Sequence, residues 1–321
     1  MKWGILGASN FAKKQMAPAI HLASGAELVA LATSSAEKAA PFEALAPGLT
    51  VFDDYDALLA DETIDAVYIP LPNHLHVSWA LKALAAGKHV LCEKPFALKA
   101  EEFDAIHDAA KRAGKHCAEA YMITHHPQWH RAKALLSEGA IGNLKHVDTV
   151  FTYNNAADPK NIRHDPSMGG GGLRDIGVYT FGSVRYATGQ EPQKITHARI
   201  DLEGGVDVFA QVSAEFESFT YNATVSMRMH PRQEVVFHGD KGLIRMTCPF
   251  NAGLFDQAEL VLEQDGQERH IQRWPGVNQY VLQVETFAKV ARGEIDDPCP
   301  LAFARGTQEM IEMVFAAGRA T

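Results

Sequence analysis

Short apolar runs alternate with alanine-rich stretches over the first third of this 321-residue chain. Strands are expected at residues 3–6, 27–32, 66–69, 89–92 and 116–118, and helices at residues 13–23, 36–46, 76–86 and 100–113. Such alternation predicts βαβ units joined into a mostly parallel sheet. Gly87 and Gly114 each end a predicted helix just before a strand, as a glycine at this position commonly does. Residues 1–120 are therefore predicted to form a doubly wound α/β domain.

From about residue 120 the pattern changes to successive β-rich runs, at residues 144–153, 206–216, 220–229, 234–238, 243–247 and 258–263. Strands without intervening helices predict a large, mainly antiparallel and open sheet. A helix at residues 179–186 is a candidate to cover one face. Residues 121–321 are thus expected to form an α+β domain for substrate binding and oligomerisation. Its last helices, at residues 279–291 and 305–317, could pack back on the first domain.

Composition excludes several classes of protein. The formal net charge of -9 argues against nucleic acid or an anionic membrane as the main partner. The four cysteines show no C-x-x-C spacing and are typical of reduced thiols in a cytoplasmic protein. The first residues run straight into a strand, and no later run approaches transmembrane length. We therefore expect neither a secretory leader nor a membrane span.

A glycine turn follows the first predicted strand. A dinucleotide fingerprint has Gly-x-Gly-x-x-Gly/Ala at this point. Gly7 and Ala12 fit its first and third glycine positions, and Ser9 occupies the second. A serine hydroxyl can donate to a phosphate at a helix amino terminus. We expect Gly7, Ser9, Asn10, Phe11 and Ala12 to bind a dinucleotide, which makes the first domain a Rossmann domain. The alternative is a generic strand–helix turn.

The end of the second strand predicts which dinucleotide is bound. An NAD site usually has an acidic residue at this tip to accept from the ribose 2′-hydroxyl. Here the tip carries Thr33, Ser34 and Ser35, with Lys38 in the following helical turn, and Glu37 lies past the tip. Hydroxyls and a cation suit a 2′-phosphate, so NADP(H) is favoured over NAD(H). An N-capping serine beside an exposed lysine would give the same pattern.

Two more segments directly follow predicted strands and lie at the same predicted edge of the sheet. Leu71, Asn73 and His76 follow the strand at residues 66–69, and we expect them to border the cofactor. His74 and His76 alone suggest a metal, but no further ligands are suitably spaced, so no metal is predicted.

Glu93 and Lys94 follow the strand at residues 89–92, and we expect both to contact the cofactor. Ligands of open α/β sheets bind at the carboxyl ends of the strands, and Pro95 keeps Lys94 out of the helical region. Lys94 is thus a candidate acid/base group beside a nicotinamide ring. A charged strand end is the alternative.

A run of four glycines, Gly169 to Gly172, precedes Asp175 and Tyr179. Glycines let the backbone press closely against a neighbour. Asp175 and Tyr179 are four residues apart, so both can lie on one face of a helix.

Together these motifs resemble the glucose-fructose oxidoreductase/inositol dehydrogenase family, Gfo/Idh/MocA, over essentially the whole chain. The resemblance rests on Val90-Leu91-Cys92-Glu93-Lys94-Pro95, Pro72-Asn73-x-x-His76, Asn161-Ile162-Arg163 and Gly170-Gly171-Gly172-Leu173-x-Asp175-Ile176-Gly177-x-Tyr179. Tyr179, where many members have histidine, is similar to the dihydrodiol and D-xylose dehydrogenase branch. The segments at residues 7–9 and 33–38 are similar to the 1,5-anhydrofructose reductase branch, and both branches favour NADP. Thr124 departs from the arginine that is frequent at its place.

The resemblance implies hydride transfer between nicotinamide and a carbon that bears a hydroxyl or carbonyl group. It implies Lys94 as the acid/base group, Tyr179 and Asp175 as further catalytic or substrate-binding groups, and Arg163 and Tyr121 as substrate contacts. Oxidation of an aldose at C1 is the favoured reaction. The alternatives are reduction of a sugar-derived ketone, oxidation of a trans-dihydrodiol, a cofactor-retaining glycosidase and a non-catalytic NADP or sugar sensor. A homodimer is expected, with a tetramer as the alternative.

Overall fold

The computed structural model describes residues 1–264, 266 and 268–319. The chain divides into two units. The first contains Met1–His125 and also Asn278–Ala304, and the second contains His126–Val277 and the chain from Arg305 on. The first unit is therefore built from two separate stretches of sequence.

The sheet of the first unit has six strands in the order β3-β2-β1-β4-β5-β6, and all its strand pairs are parallel. The predicted parallel Rossmann sheet is therefore confirmed. Its elements are β1 (Lys2–Leu6), α1 (Ala17–Leu22), β2 (Glu27–Ala32), α2 (Ala36–Leu45), β3 (Thr50–Phe52), α3 (Tyr55–Ala60), β4 (Ala66–Ile69), α4 (His76–Ala85), β5 (His89–Cys92), α5 (Glu102–Ala113) and β6 (Cys117–Glu119).

This strand order fixes where a ligand can bind. The chain reverses its winding direction between the adjacent strands β1 and β4, and open α/β sheets bind ligands beside such a switch point, at the carboxyl ends of the strands. The strands themselves are held by an apolar core that includes Leu6, Ile69 and Val90, packed against Leu84 and Ile106 of the helices.

The second unit contains an eight-stranded sheet in the order β14-β13-β12-β11-β7-β10-β9-β8. Among its described strand pairs, only β10 with β7 is parallel, which confirms the large, mainly antiparallel sheet. Its elements are α6 (Pro127–Ser137), β7 (Leu144–Asn154), α7 (Val178–Thr188), β8 (Lys194–Glu203), β9 (Val206–Glu215), β10 (Thr220–Ser226), β11 (Arg228–Gly239), β12 (Gly242–Met246), β13 (Glu259–Gln264) and β14 (Glu268–Arg273). Helix α8 (Gln279–Ala291), which belongs to the first unit, and helix α9 (Leu301–Arg319) end the chain.

Two predicted elements need correction. The single strand predicted at residues 220–229 is wrong, because the chain bends around the end of β7 at Met227. Strand β10 therefore runs parallel to one side of β7, and β11 returns antiparallel along the other. The helix predicted at residues 13–23 begins as a π-helical turn, Ala12–Met16, before α1.

Helix α7 covers one face of the second sheet, the role for which the helix at residues 179–186 is a candidate from the sequence. The Tyr221 hydroxyl of β10 donates to the carbonyl of Thr180 in α7 at 2.9 Å, and the rings of Phe181 and Tyr221 pack edge to face. No described helix is long and apolar enough to span a membrane.

Candidate functional site

The turn after β1 can be formed only by glycine. Gly7 has φ +104°, and a Cβ there would lie 3.0 Å from the Leu71 side chain and 3.3 Å from the Tyr55 hydroxyl. Its N–H donates to the carbonyl of Ala32, at the end of β2, at 3.0 Å. The ends of β1, β2 and β4 therefore converge at Gly7 with little space between them.

Ser9 caps the helical segment that follows this turn. Its Oγ accepts from the Ala12 N–H at 3.0 Å, and its carbonyl accepts from the Lys13 N–H at 3.0 Å. Because Oγ acts here as an acceptor, its own proton can still be donated to an anion. Asn10 and Phe11 are exposed, and Ala12 is buried at the position of the third glycine.

The tip of β2 combines a structural cap with exposed polar groups. Ser35 is the N-cap of α2 and accepts from the Lys38 N–H at 3.2 Å, while Thr33 Oγ1 accepts from the Ser35 N–H at 3.3 Å. Ser34 and the Lys38 side chain are exposed. The capping serine and the open hydroxyl-and-lysine tip are therefore both present.

The turn that carries Lys94 is tied to its neighbours on both sides. The Glu93 N–H donates to the carbonyl of Ile69 at 3.0 Å, and the Tyr68 hydroxyl donates to Glu93 Oε1 at 2.6 Å. After the cis Lys94-Pro95 bond, the Phe96 N–H donates to Glu119 Oε1 at 2.8 Å. Lys94 is half-buried, on a backbone held from β4 and β6.

His76 is a fully buried brace between two loops. Its Nδ1 lies 2.8 Å from the carbonyl of Pro95, and its Nε2 lies 2.7 Å from the carbonyl of Leu71. The two carbonyls favour the protonated ring, but burial is the larger effect and lowers the pKa of His76 to about 4. At neutral pH the ring therefore carries one N–H and donates to only one of the two carbonyls, while both of its nitrogens face the backbone of the Leu71 and Pro95 loops. Asn73 lies half-buried in the 3₁₀ turn just before it.

In the second unit, Asp175 forms the centre of a polar cluster. Its Oδ2 accepts from Arg163 Nε at 2.7 Å and from the Tyr153 hydroxyl at 2.7 Å. The Asp175 charge raises the pKa of the Arg163 guanidinium, and burial together with Asp175 raises the pKa of Tyr153. Asp175 is 11% exposed and Arg163 41% exposed as side chains, so the pair is open to solvent mainly at the guanidinium.

Tyr179 lies beside this cluster. Asp175 belongs to the π-helical turn Leu173–Gly177, and Tyr179 lies in the first turn of α7. The Tyr179 ring packs at 5.8 Å from both Phe151 and Phe250. It is close enough to Arg163 to contribute to that residue's raised pKa. The structure thus brings Arg163, Asp175 and Tyr179 together.

The glycine run lets the 154–172 loop fold tightly over the start of this helical segment. The Gly171 N–H donates to the carbonyl of Arg163 at 3.0 Å, and the Gly170 N–H donates to that of Asp165 at 3.0 Å. A Cβ at Gly170 would lie 2.5 Å from the Arg163 carbonyl oxygen. The close neighbour of Gly170 is thus the chain's own backbone.

Two residues singled out from the sequence lie in the core. Tyr121 is fully buried and packs at 5.8 Å from the Phe303 ring. Thr124 is also fully buried, with its hydroxyl donating to the Tyr121 carbonyl at 2.9 Å. We therefore leave Tyr121 out of the substrate contacts proposed below.

Sequence reasoning missed Tyr68 and Tyr153, which hold the carboxylates of Glu93 and Asp175. Both belong to predicted strands, where the apolar pattern predicts packing and no hydrogen-bonding role for a tyrosine. The strand ends offered a signal for Tyr153, since it is the last aromatic residue before the 154–172 loop. Tyr68 gave none, because it lies within the apolar run of β4.

Comparison with known proteins decides the family. Residues 1–121 match the oxidoreductase family with an NAD-binding Rossmann fold, and residues 129–245 match the GFO/IDH/MocA C-terminal domain. An uncharacterized oxidoreductase of Rhizobium meliloti is 35% identical over 323 residues, which cover 98% of this chain and 96% of the relative. The chain belongs to the Gfo/Idh/MocA family. The resemblance drawn from the motifs is thereby confirmed.

Two relatives with a named activity match most of this chain. An NADP(+)-dependent D-xylose 1-dehydrogenase of Haloferax volcanii is 33% identical over 300 residues, covering 92% of this chain and 90% of the relative. The crystal structure of a 3-ketoreductase from Actinomadura kijaniata in complex with NADP and TDP-benzene is 26% identical, with a TM-score of 0.90. The match covers 99% of this chain and 97% of that one. One of these relatives is named for oxidation of a sugar, and the other for reduction of a ketone.

Proposed function

We propose that this protein is an NADP-dependent oxidoreductase that transfers a hydride between nicotinamide and a sugar or sugar-like alcohol or carbonyl, with Lys94 as acid/base group. One observation carries the proposal. Lys94 follows β5 at the same edge of a parallel sheet as the Gly7 turn, beside the switch point between β1 and β4. This is the edge at which such sheets bind ligands.

The residues of the first unit fit a phosphorylated dinucleotide. Gly7 makes the tight turn after β1, and the capped helical segment after Ser9 presents N–H groups and a hydroxyl to an anion such as a pyrophosphate. Thr33, Ser34 and Lys38 suit a ribose 2′-phosphate, and the tip has no carboxylate to accept from a free 2′-hydroxyl. The NADP named in both characterised relatives supports the same choice of cofactor.

When bound, NADP(H) supplies the hydride acceptor or donor. Lys94 moves the proton: its amine form takes the hydroxyl proton during oxidation, and its ammonium form protonates the carbonyl oxygen during reduction. Glu93, held by Tyr68, keeps a carboxylate next to this lysine. In the second unit, Arg163 and Asp175 offer a donor and an acceptor to sugar hydroxyls, and the family resemblance implies Tyr179 as a further catalytic or substrate-binding group.

Oxidation of an aldose at C1 is the reaction we favour, and the D-xylose 1-dehydrogenase supports it. Reduction of a sugar-derived ketone is the second candidate, which the 3-ketoreductase supports. Oxidation of a trans-dihydrodiol uses the same proton and hydride movements on a smaller, less polar substrate. A cofactor-retaining glycosidase and a sensor are the remaining alternatives.

The test measures NADP+ reduction, by the absorbance of NADPH, against a panel of aldoses, cyclitols and dihydrodiols, with NAD+ in parallel and keto sugars plus NADPH in reverse. Lys94→Met is expected to lower kcat by about 10²–10⁴-fold while NADP+ binding, followed by fluorescence, is kept. Lys99→Met is the control, because Lys99 is an exposed lysine five residues further on. Full turnover in Lys94→Met would refute the role of Lys94, and NADPH binding without turnover would favour a sensor.

We also propose a homodimer, with a tetramer as the alternative, as the family resemblance implies. The sheet face that bears Ser213, Asn222 and His146 is exposed, and these side chains form a hydrogen-bonded row across β9, β10 and β7. Analytical ultracentrifugation of the full chain tests this, and a monomer at micromolar concentration would contradict it.

A further inference from the structure

One buried carboxylate in the second unit lies outside the groups assigned so far. Asp207 is in β9, is 3% exposed, and points at the start of the helical segment that carries Asp175 and Tyr179. Its Oδ2 accepts from the Leu173 N–H at 2.6 Å. Leu173 is the first residue of the π-helical turn, so β9 holds this turn by its first N–H group.

The same carboxylate explains one glycine of the run. Gly171 has φ +116°, and Asp207 Oδ1 occupies the place that a Cβ at Gly171 would take. A Cβ at Gly172 would lie 3.3 Å from Oδ2. Asp207 therefore fits against the glycine backbone on one side, while the carbonyl of Arg163 accepts from the Gly171 N–H on the other.

Burial of this acid is costly and needs compensation. Burial raises the pKa of Asp207, whereas the N–H groups of Leu173 and Gly172 and the charge of Arg174 act in the opposite direction. A carboxylate at a helix amino terminus also interacts favourably with the helix dipole and makes stronger hydrogen bonds than a neutral acceptor. Apart from the backbone N–H of Asp207 itself, which also lowers the pKa, these partners belong to the segment from Gly172 to Arg174 at the start of the helix.

We propose that Asp207 is a positioning residue for this enzyme, which fixes the start of the Leu173–Gly177 turn and thereby the places of Asp175 and Tyr179. The inference rests on the proposed function, in which Asp175 and Tyr179 act on the substrate. A shift of reacting groups by about 1 Å can cost about 10²-fold in rate. Loss of a single hydrogen bond at Leu173 can therefore reduce turnover without any loss of a substrate contact.

The chain contains a matched control for the local geometry. Asp240 Oδ1 accepts from the Asn143 N–H at 2.8 Å and occupies the place of a Cβ at Gly142, which has φ +71°. This is the same carboxylate-on-glycine arrangement in the same unit. It joins the turn before β7 to the β11–β12 turn and leaves the Leu173–Gly177 turn untouched.

The experiment compares Asp207→Ala, Asp207→Asn and Asp240→Ala in the full chain loaded with NADP+. Asp207→Ala is expected to lower kcat about 30–100-fold and to keep the Kd for NADP+ within twofold of the wild type. Asp207→Asn is expected to lose less of kcat, because its amide oxygen can still accept from the Leu173 N–H. Hydrogen exchange of the amides from Leu173 to Tyr179 is expected to accelerate in Asp207→Ala only. Asp240→Ala is expected to keep kcat within twofold of the wild type.

Two outcomes overturn the proposal: wild-type kcat in folded Asp207→Ala, or unchanged exchange at Leu173 to Tyr179 in that variant. If Asp207→Ala does not fold, Asp207→Asn decides, with at least a fivefold lower kcat expected and an unchanged kcat contradicting the role. Failure of the proposed function is recognised separately, by full turnover in Lys94→Met and Tyr179→Phe. The hydrogen-exchange result requires no substrate, so it tests the role of Asp207 in either case.

Discussion

Tyr153 links the end of β7 to the residue at the centre of the second-unit cluster. Its hydroxyl and Arg163 Nε reach the same oxygen of Asp175. Tyr153→Phe should leave that carboxylate with one donor fewer and freer to rotate. We expect kcat/KM to fall about tenfold, as loss of about 1.4 kcal/mol of transition-state stabilisation implies. Steady-state kinetics on the best substrate of the panel measures it.

Tyr221→Phe is the control for this change. Tyr221 is also a buried phenol of the second unit, with its hydroxyl bonded to Thr149 and Thr180. The Tyr221→Phe variant should have a free energy of unfolding lower by about 0.5–1.5 kcal/mol and an unchanged kcat. Equal kinetic losses in both variants would show that Tyr153 acts through stability alone.

Lys38 sets the preference for the 2′-phosphate in our proposal. Lys38→Ala should raise the Kd for NADP+ about tenfold, which corresponds to about 1.4 kcal/mol, and leave the Kd for NAD+ unchanged. Because Lys38 is exposed, the difference should shrink in high salt. Fluorescence titration checks both cofactors, with Lys14→Ala as the exposed-lysine control. A parallel loss for NADP+ and NAD+ would contradict this role.

At the scale of elements, the first residue of strand β5 makes the stability of the folded chain sensitive to acid. This residue, His89, accepts from the His116 N–H through Nδ1 at 2.9 Å. Burial, with help from the charges of Lys115 and His116, lowers the pKa of His89 to about 4. Between pH ~6.5 and ~4 the unfolded chain therefore binds more protons at this site than the folded chain. The free energy of unfolding should fall as the pH is lowered through this window.

His89→Asn tests this, because the amide oxygen can accept from the His116 N–H without titrating. We expect the free energy of unfolding of this variant to depend less steeply on pH than that of the wild type. One proton allows a slope of ~1.4 kcal/mol per pH unit, and the expected difference is a fraction of this because His89 stays partly exposed. Urea unfolding at several pH values measures the slope. His107→Asn, a change at an exposed histidine, should leave the slope unaltered; an unaltered slope in His89→Asn as well would refute the argument.

The same scale explains how much of the molecule could be predicted. Buried parallel strands such as β4 and β5 are apolar on both faces and can be recognised from short stretches of sequence. The glycine turn after β1 identifies the fold as nucleotide-binding, so the first sheet and its ligand-binding edge could be predicted. Strand β8 was not predicted, because it is an edge strand whose side chains are mostly exposed and so show no apolar pattern. The contacts of Asp175 with Tyr153 and of Asp207 with Leu173 join residues 22 and 34 positions apart. Such pairs depend on strand register, which spacing along the chain does not encode.

For the molecule as a whole, the stability of the first unit depends on a late segment of the chain. Phe287 of α8 is 3% exposed and packs at 5.0 Å from Trp3 and at 4.5 Å from His116. Phe287→Ala should lower the free energy of unfolding by about 3–5 kcal/mol and weaken NADP+ binding, although the proposed cofactor contacts all precede residue 100. Chemical denaturation and cofactor titration measure both effects. The exposed Leu22 provides the control, and equal losses in Leu22→Ala and Phe287→Ala would contradict this view.

The division of the first unit into two stretches also has a consequence for biosynthesis. Its sheet leaves the ribosome first, but Asn278–Ala304 follows only after the whole stretch His126–Val277. Domains usually fold in the order in which they emerge, whereas here the nucleotide-binding unit begins first and can be completed only after the stretch His126–Val277 has been made. Until α8 arrives, the nascent chain exposes the apolar side of Trp3. A chaperone that covers this surface during synthesis would therefore increase the yield of folded protein.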